Sequence, residues 1–326
     1  MRVLVTGATG FLGGRLIRHL GARGFDTLAL GRDERRCNAL REAGFATVRA
    51  DLSHPVLHLA SVFSEVDAVV HCAALSAPWG PLAAFRAANV EGTRNALDLA
   101  DMLGARRFVN ISSPTVYFEM KDKTDVAETA PLPRPVNAYA RTKAEAEQLV
   151  LARETLGPVN LRPRGIYGAG EETLLPRLVA AARRGPLPLL RAGAAAIDLT
   201  HVDDVVAAIE AALTAGPAIS GETFNISGGE MVKVREVVEH VCGKLAVLLR
   251  WKTVPFRPAL MAVRLAELAS LARPTPREPL VTPYTLGLFA FRQSLDISKA
   301  CRMLDWQPRI SLGQGLAMTL DGRRVP

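Results

Sequence analysis

Through the first half of the chain, short β-branched and aliphatic runs alternate with stretches whose apolar positions recur every three to four residues. RVLVT (2–6), DTLAL (26–30), ATVRA (46–50), DAVVHCA (67–73) and RRFVNIS (106–112) read as strands, and PVNLRP (158–163) adds a sixth. The segments after Phe11, near Arg35, after Pro81 and after Asn137 read as helices. Such alternation predicts an α/β protein with a doubly wound parallel sheet and right-handed crossovers. Beyond about residue 165 the rhythm changes to longer helices, shorter strands and proline-bounded loops. There FRPALMAVRLAELASLARP (256–274) predicts an apolar helix too short and too charged to span a bilayer, expected to cover a site or pack on the sheet. The predicted division is a nucleotide-binding domain over 1–165 and a smaller α+β substrate-binding region over 166–326 that partly returns to the sheet.

Composition narrows the classes without naming one. With 326 residues and 49% hydrophobic content the chain can bury a full core. The net charge of +8 comes from scattered arginines, with no basic helix or aromatic-interleaved patch, so nucleic-acid binding is not expected. Four separated cysteines, Cys37, Cys72, Cys242 and Cys301, form no Cys-x-x-Cys pair and have no histidine at ligand spacing, which argues against a metal site or disulfide framework. The first apolar stretch is broken by glycines and lacks a cleavage pattern, so a reducing cytoplasm is expected, with no membrane span.

Candidate chemistry begins at VTGATGFLGGRL (5–16), which lies between the first strand and the first helix. Gly7, Gly10 and Gly13 permit a tight turn, a close approach by a pyrophosphate and close helix–sheet packing, and the helix N-terminus favours anions. This is the dinucleotide-binding arrangement of a Rossmann-type sheet, with Thr9, Phe11 and Leu12 of the same loop at the cofactor. At the end of the second strand, where an acidic residue would hold a ribose hydroxyl, the chain has Gly31 and Arg32. An arginine suits a 2′-phosphate, so NADP(H) is favoured over NAD(H); the alternative is that Arg32 is solvated and Asp33 takes the ribose. Asp51, followed by Leu52, stands where it reaches the adenine edge or simply makes a turn.

Two of the four tyrosines precede a lysine by four residues: Tyr117 with Lys121, and Tyr139 with Lys143. Tyr139 follows an Asn137 cap and opens ARTKAEAEQ, rich in helix formers, so the spacing places both side chains on one helical face. Tyr117 instead begins YFEMKDKTD, which reads as a polar loop. In a partly desolvated site Lys143 is expected to draw the Tyr139 phenol towards neutrality, suiting it to exchange a proton with an alcohol or carbonyl. Ser112 and Ser113 end the fifth strand at the edge where open α/β sheets bind ligands. Ser113 is the expected partner of the substrate oxygen; a plain turn serine is the alternative.

TGATGFLGG, ADL, HCAA, NVEGT, SSPTVY, YARTK, LRPRGIYG and THVDDVV occur in the order seen in extended short-chain dehydrogenase/reductases, which the chain resembles over nearly its whole length. The resemblance implies Ser113, Tyr139 and Lys143 as the catalytic set. It implies Ala73, Ala74, Ser112, Pro163 and Ile166 beside the cofactor, and Asn89 behind the site or as an ordinary cap or core residue. Nucleotide-sugar members commonly carry an asparagine near Gly165 and an arginine at Ile197, polar groups that this chain lacks. AALSAPWGP, LLPRL and EPLVTPY instead resemble bacterial 3β-hydroxysteroid dehydrogenase-like and 2-alkyl-3-oxoalkanoate reductases. That branch implies a small hydrophobic substrate held by Trp79, Ser113, Arg164, Gly165, Leu174 and Leu175, with simple core roles as the alternative for the apolar ones. Secondary alcohol–ketone interconversion is the expected reaction; an NAD-retaining nucleotide-sugar epimerase or dehydratase and a non-catalytic cofactor sensor are the alternatives. Peripheral membrane contact and a homodimer through the helices after Pro81 and Asn137 are further implications of the resemblance.

Overall fold

Seven parallel strands form the main sheet: β1 (Arg2–Thr6), β2 (Asp26–Gly31), β3 (Ala46–Arg49), β4 (Ala68–His71), β5 (Arg107–Ile111), β6 (Pro158–Pro163) and β7 (Glu222–Ile226), in the order β7-β6-β5-β4-β1-β2-β3. The computed structural model describes residues 1–171, 175–272 and 278–320. Six strands lie where the hydrophobic pattern predicts them. The seventh comes from the C-terminal half and pairs in register with β6, from Glu222 beside Val159 to Ile226 beside Pro163.

Strand alternation sends neighbouring side chains to opposite faces, and the core divides accordingly. Val3 and Val5 point into a cluster with Leu16 and Ile17 of helix α1 (Phe11–Ala22) and with residues of the helix Val202–Thr214. Leu4 faces the other way, into a cluster with Leu97 and Leu99 of the helix Gly92–Met102 and Val150 of the helix Ala138–Leu151. Because helices cover both faces, the central strands are buried along their length and read as continuous apolar runs. The strand order reverses between β1 and β4, which opens the crevice where such sheets bind ligands.

A second sheet runs Met231–Lys233, Ala196–Asp198, Arg292–Leu295, Lys123–Val126. Its last strand lies inside the segment expected to be a polar loop, so the two regions interleave: Lys123–Val126 joins the small sheet, and β7 joins the large one. The apolar helix Phe256–Leu271 packs on the short helix Pro283–Leu288, through Phe256, Ala259, Leu260 and Val263 against Leu286, Ala290 and Phe291. It does not lie on the main sheet, and Met261, Leu265 and Leu268 on its other side stay exposed. Among the described residues no helix is long and apolar enough to cross a membrane.

The second Tyr-x-x-x-Lys has a structural explanation. Tyr117 is 2% exposed, and its hydroxyl donates to Asn225 Oδ1 at 3.1 Å while accepting from Arg162. Arg162 in turn forms a bidentate pair with Glu147, with N–O distances of 2.8 and 2.6 Å. Lys121 points elsewhere, to Glu119 on the surface. Removing one member of a buried pair leaves the other charged and unpartnered, so Glu147→Ala should lower stability by about 3–5 kcal/mol. Urea unfolding should show this as a lower midpoint without a change in slope.

Candidate active site

The loop between β1 and α1 is shaped by what it must fit against. Gly7 has φ +65°, and a Cβ there would sit 2.6 Å from the backbone nitrogen of Ala73. At Gly13 a Cβ would run into the Gly7 carbonyl, so the first turn of α1 lies directly on the loop. Gly10 caps that helix without a side-chain bond, and the first turn carries no acidic residue. Backbone N–H groups and the positive end of the helix dipole therefore face the crevice with no built-in anion competing for them. This cradle fits a dinucleotide pyrophosphate, with Thr9, Phe11 and Leu12 around it.

At the far end of β2, Arg32 is exposed and its guanidinium lies 3.9 Å from the Asp51 carboxylate. Asp33 is occupied as the cap of the next helix, accepting from the Arg36 amide at 2.8 Å. Asp51 also accepts from the Ser53 amide and hydroxyl, at 3.0 and 2.8 Å. Leu52 is buried and packs beneath, its carbonyl held by Asn95 at 2.8 Å. On the β4 side the Ala73 amide donates to Thr6 Oγ1 at 3.4 Å, and Ala74 is exposed. Pro163 closes β6, and Ile166 packs at the margin of the core.

Asn89 sits in a π-helical turn, Arg86–Glu91, a local widening of the kind frequent at functional sites. Its Oδ1 accepts from the Leu75 amide at 2.7 Å, and its Nδ2 donates to the Leu75 carbonyl and to Thr142 Oγ1 at 3.2 and 3.1 Å. A single buried amide thus ties the loop carrying Ser76 and half-buried Trp79 to the helix carrying Tyr139 and Lys143.

On that helix the Tyr139 hydroxyl lies near enough to the Ser113 and Ser76 hydroxyls for both to act on it, and its ring meets Phe85 edge-on at 6.4 Å. Burial raises the phenol above its ordinary value, with the two serine hydroxyls opposing. Lys143 corrects the expected tuning: its ammonium donates to the Ile111 carbonyl at the end of β5, 2.7 Å away, and is not among the charges acting on Tyr139. A buried ammonium must find an acceptor, and the strand end supplies one. Burial brings Lys143 down to about 8, although Glu147 one turn on, and Cys72, pull it up. Nearby His71 is held neutral, pushed down to about 3 by burial and the Lys143 charge, with its ring nitrogens 2.8 Å from Thr6 Oγ1 and 3.1 Å from Thr93 Oγ1.

Ser113 and Ser112 differ. Ser113 Oγ pairs with Thr115 Oγ1 at 2.9 Å and acts on Tyr139, whereas Ser112 Oγ is buried without a protein partner at the cofactor side of the strand end. Thr115 Oγ1 continues to the Tyr284 hydroxyl at 3.2 Å. Ser76, Thr115 and Tyr284 were absent from the expected site residues, although all three stand within motifs quoted for the resemblance, AALSAPWGP, SSPTVY and EPLVTPY; the contact of Tyr284 with Thr115, across 169 residues, leaves no local signal.

The remaining expected substrate contacts are more internal than anticipated. Arg164 is 6% exposed, with Nε 2.8 Å from Asp198 Oδ1 and Nη1 donating to Gln293 at 3.0 Å. Gly165 turns against Leu199. Leu175 is 2% exposed and serves a core cluster with Tyr167, Val179 and Leu316, which agrees with the core alternative. Leu174 lies outside the described residues. Among the described residues no cluster of three or more histidine, cysteine or acidic side chains is arranged to hold a metal.

The model of the NAD dependent epimerase/dehydratase family matches residues 3–227. The chain belongs to this family. Its curated relatives include a 2-alkyl-3-oxoalkanoate reductase of Stenotrophomonas maltophilia, 33% identical over 97% of both chains. They also include a decarboxylating sterol-4-alpha-carboxylate 3-dehydrogenase of Saccharomyces cerevisiae, 29% identical over 98% of this chain and 96% of the other. Among solved structures, a UDP-glucuronic acid 4-epimerase of Bacillus cereus in complex with NAD superposes with a TM-score of 0.77 over 98% of both chains at 23% identity, a likeness of fold. Within the epimerase/dehydratase family, this chain is an NAD(P)-dependent dehydrogenase/reductase.

The lowered Lys143 value has a sign that can be checked. The unfolded chain holds this proton up to about 10.5 and the folded chain only to about 8, so stability without cofactor should rise with pH between those values. Lys143→Met should remove about 2 kcal/mol of that rise, measured as the difference between the two proteins' urea unfolding energies at pH 7.5 and 10.

Proposed function

We propose that the enzyme interconverts a ketone and a secondary alcohol on an apolar substrate, using NADP(H), and that the substrate carries a carboxylate on the carbon next to the reacting one, that is, a β-oxo or β-hydroxy acid. The observation that carries the reaction is the Ser113–Tyr139 hydroxyl pair beside buried Lys143, at the strand edge facing the glycine cradle. The substrate class is supported by the relatives: a 2-alkyl-3-oxoalkanoate and a 3-oxygenated sterol 4-carboxylate both place the acid on the carbon next to the reacting one. Ile197, where nucleotide-sugar members commonly carry an arginine, packs against an apolar cluster instead.

In the reducing direction, Ser113 donates a hydrogen bond to the ketone oxygen and Tyr139, protonated at neutral pH, gives it a proton. The bound nicotinamide supplies the hydride to the carbonyl carbon. The Tyr139 phenolate left behind is stabilised by the Lys143 charge once that ammonium leaves the Ile111 carbonyl, and recovers its proton from solvent through neighbouring hydroxyls. Lys143 and the glycine cradle hold the cofactor, and Arg32 faces its 2′-phosphate.

Tyr139→Phe should cut turnover by about 10² or more while cofactor binding persists, because only the proton donor is lost. Steady-state rates alongside calorimetry of NADPH separate the two effects. Arg32→Ala should weaken NADPH at least about tenfold and leave NADH nearly unchanged, since a charge-assisted phosphate contact is worth roughly 1.5–3 kcal/mol. Equal losses for both cofactors would overturn the phosphate assignment.

A further inference from the structure

Tyr284, the last residue of EPLVTPY, is a group in this site to which the proton-transfer chemistry gives no role. It stands at the start of the helix Pro283–Leu288, whose entry is fixed by a reciprocal Thr282–Thr285 capping box. Its ring is held edge-on against Phe118 at 5.0 Å, so the hydroxyl has little freedom to swing away. That hydroxyl meets Thr115 Oγ1 at 3.2 Å, and Thr115 meets Ser113 at 2.9 Å. Tyr284 Oη is therefore at most roughly 6 Å from Ser113 Oγ, the two bonds laid end to end. The Tyr284 phenol is near enough to Tyr139 to disfavour its ionisation.

We propose that Tyr284 forms a carboxylate subsite, donating its O–H to the acid group of a β-oxo or β-hydroxy acid while Ser113 and Tyr139 hold the reacting oxygen. The proposal rests on the substrate class inferred above. Ordinary bond lengths put the two functional groups of such an acid roughly 3–4 Å apart, oxygen to oxygen. Hydroxyl donors up to roughly 6 Å apart span that pair with one hydrogen bond to each.

Electrostatics at Tyr284 suit an anion. Burial keeps the phenol protonated, and the positive charge of Arg164 acts on it from behind, with the Thr115 bond. Arg164 is committed to Asp198 and Gln293, so it contributes field without being the direct ligand. A neutral donor backed by a buried cation binds a carboxylate without leaving a bare charge in an otherwise apolar site when the substrate departs. Tyr284 belongs to the short helix on which the apolar helix Phe256–Leu271 packs.

The test compares a 2-alkyl-3-hydroxy acid with its methyl ester, both oxidised with NADP⁺ by the wild type and by Tyr284→Phe. The ratio of kcat/KM for acid over ester should fall at least about tenfold in the variant, the loss expected for a hydrogen bond to a charged group. An unchanged ratio, with both substrates slowed alike, would mean that Tyr284 only positions Ser113 through Thr115 and would overturn the subsite. If the wild type oxidises neither compound, the proposed reaction fails, and calorimetry of the acid still decides the subsite. Binding at least about tenfold weaker to Tyr284→Phe upholds it, and equal binding overturns it.

Discussion

A lysine ammonium held out of water is the constraint around which this site is built. Lys143 is 1% exposed and has one backbone carbonyl as its hydrogen-bond acceptor. Desolvating such a charge is expensive, and the surroundings are arranged to offset part of it. Glu147, one helical turn on, supplies the opposite charge, and is itself locked by both nitrogens of Arg162. Arg162 belongs to β6 and reaches Tyr117, which reaches Asn225 of β7. The cost of burying one cation is thus spread through a polar network beneath the sheet edge, and the strand from the C-terminal half is drawn into it.

That network explains why the cofactor-free site holds its tyrosine in the protonated form. Lys143 faces the end of β5, and the Tyr139 hydroxyl sees two serines and a neighbouring phenol instead of a cation. A protonated phenol is the right starting state for giving a proton to a ketone. The two groups share a helical face, yet side-chain reach and competing acceptors decide which of them interact.

This difference also marks where sequence reading stops. Six of seven strands, the glycine turn and the placing of Tyr139 and Lys143 on one Asn137-capped helix were legible, because each depends on local periodicity, a cap or a turn. β7 was not: ETFNI interleaves polar Thr223 and Asn225 with Phe224 and Ile226, and its partner lies some sixty residues earlier. The acceptor chosen by Lys143 was illegible because a backbone carbonyl has no sequence signature. Leu175 reads equally well as a pocket wall or as core from its chemistry, and only packing against Tyr167 and Leu316 separates the two. The contacts of Tyr284 are silent for a similar reason, since its neighbours are set by the chain's return across the fold.

A sheet shared with a sugar-nucleotide epimerase places no demand on what the second half recognises. A diphosphate needs cations with free donors. Here Arg164 is buried and paired with Asp198 and Gln293, and Ile197 next to that aspartate is packed in an apolar cluster. The same strand that could present a guanidinium to a phosphate therefore spends its polarity on joining the small sheet to β6. What is left facing the reacting groups is hydroxyls: Ser76, Ser113, Thr115, Tyr139 and Tyr284. Hydroxyls bind single oxygens directionally and cost little to desolvate when empty, which suits a substrate that is mostly hydrocarbon with two oxygens to fix in place.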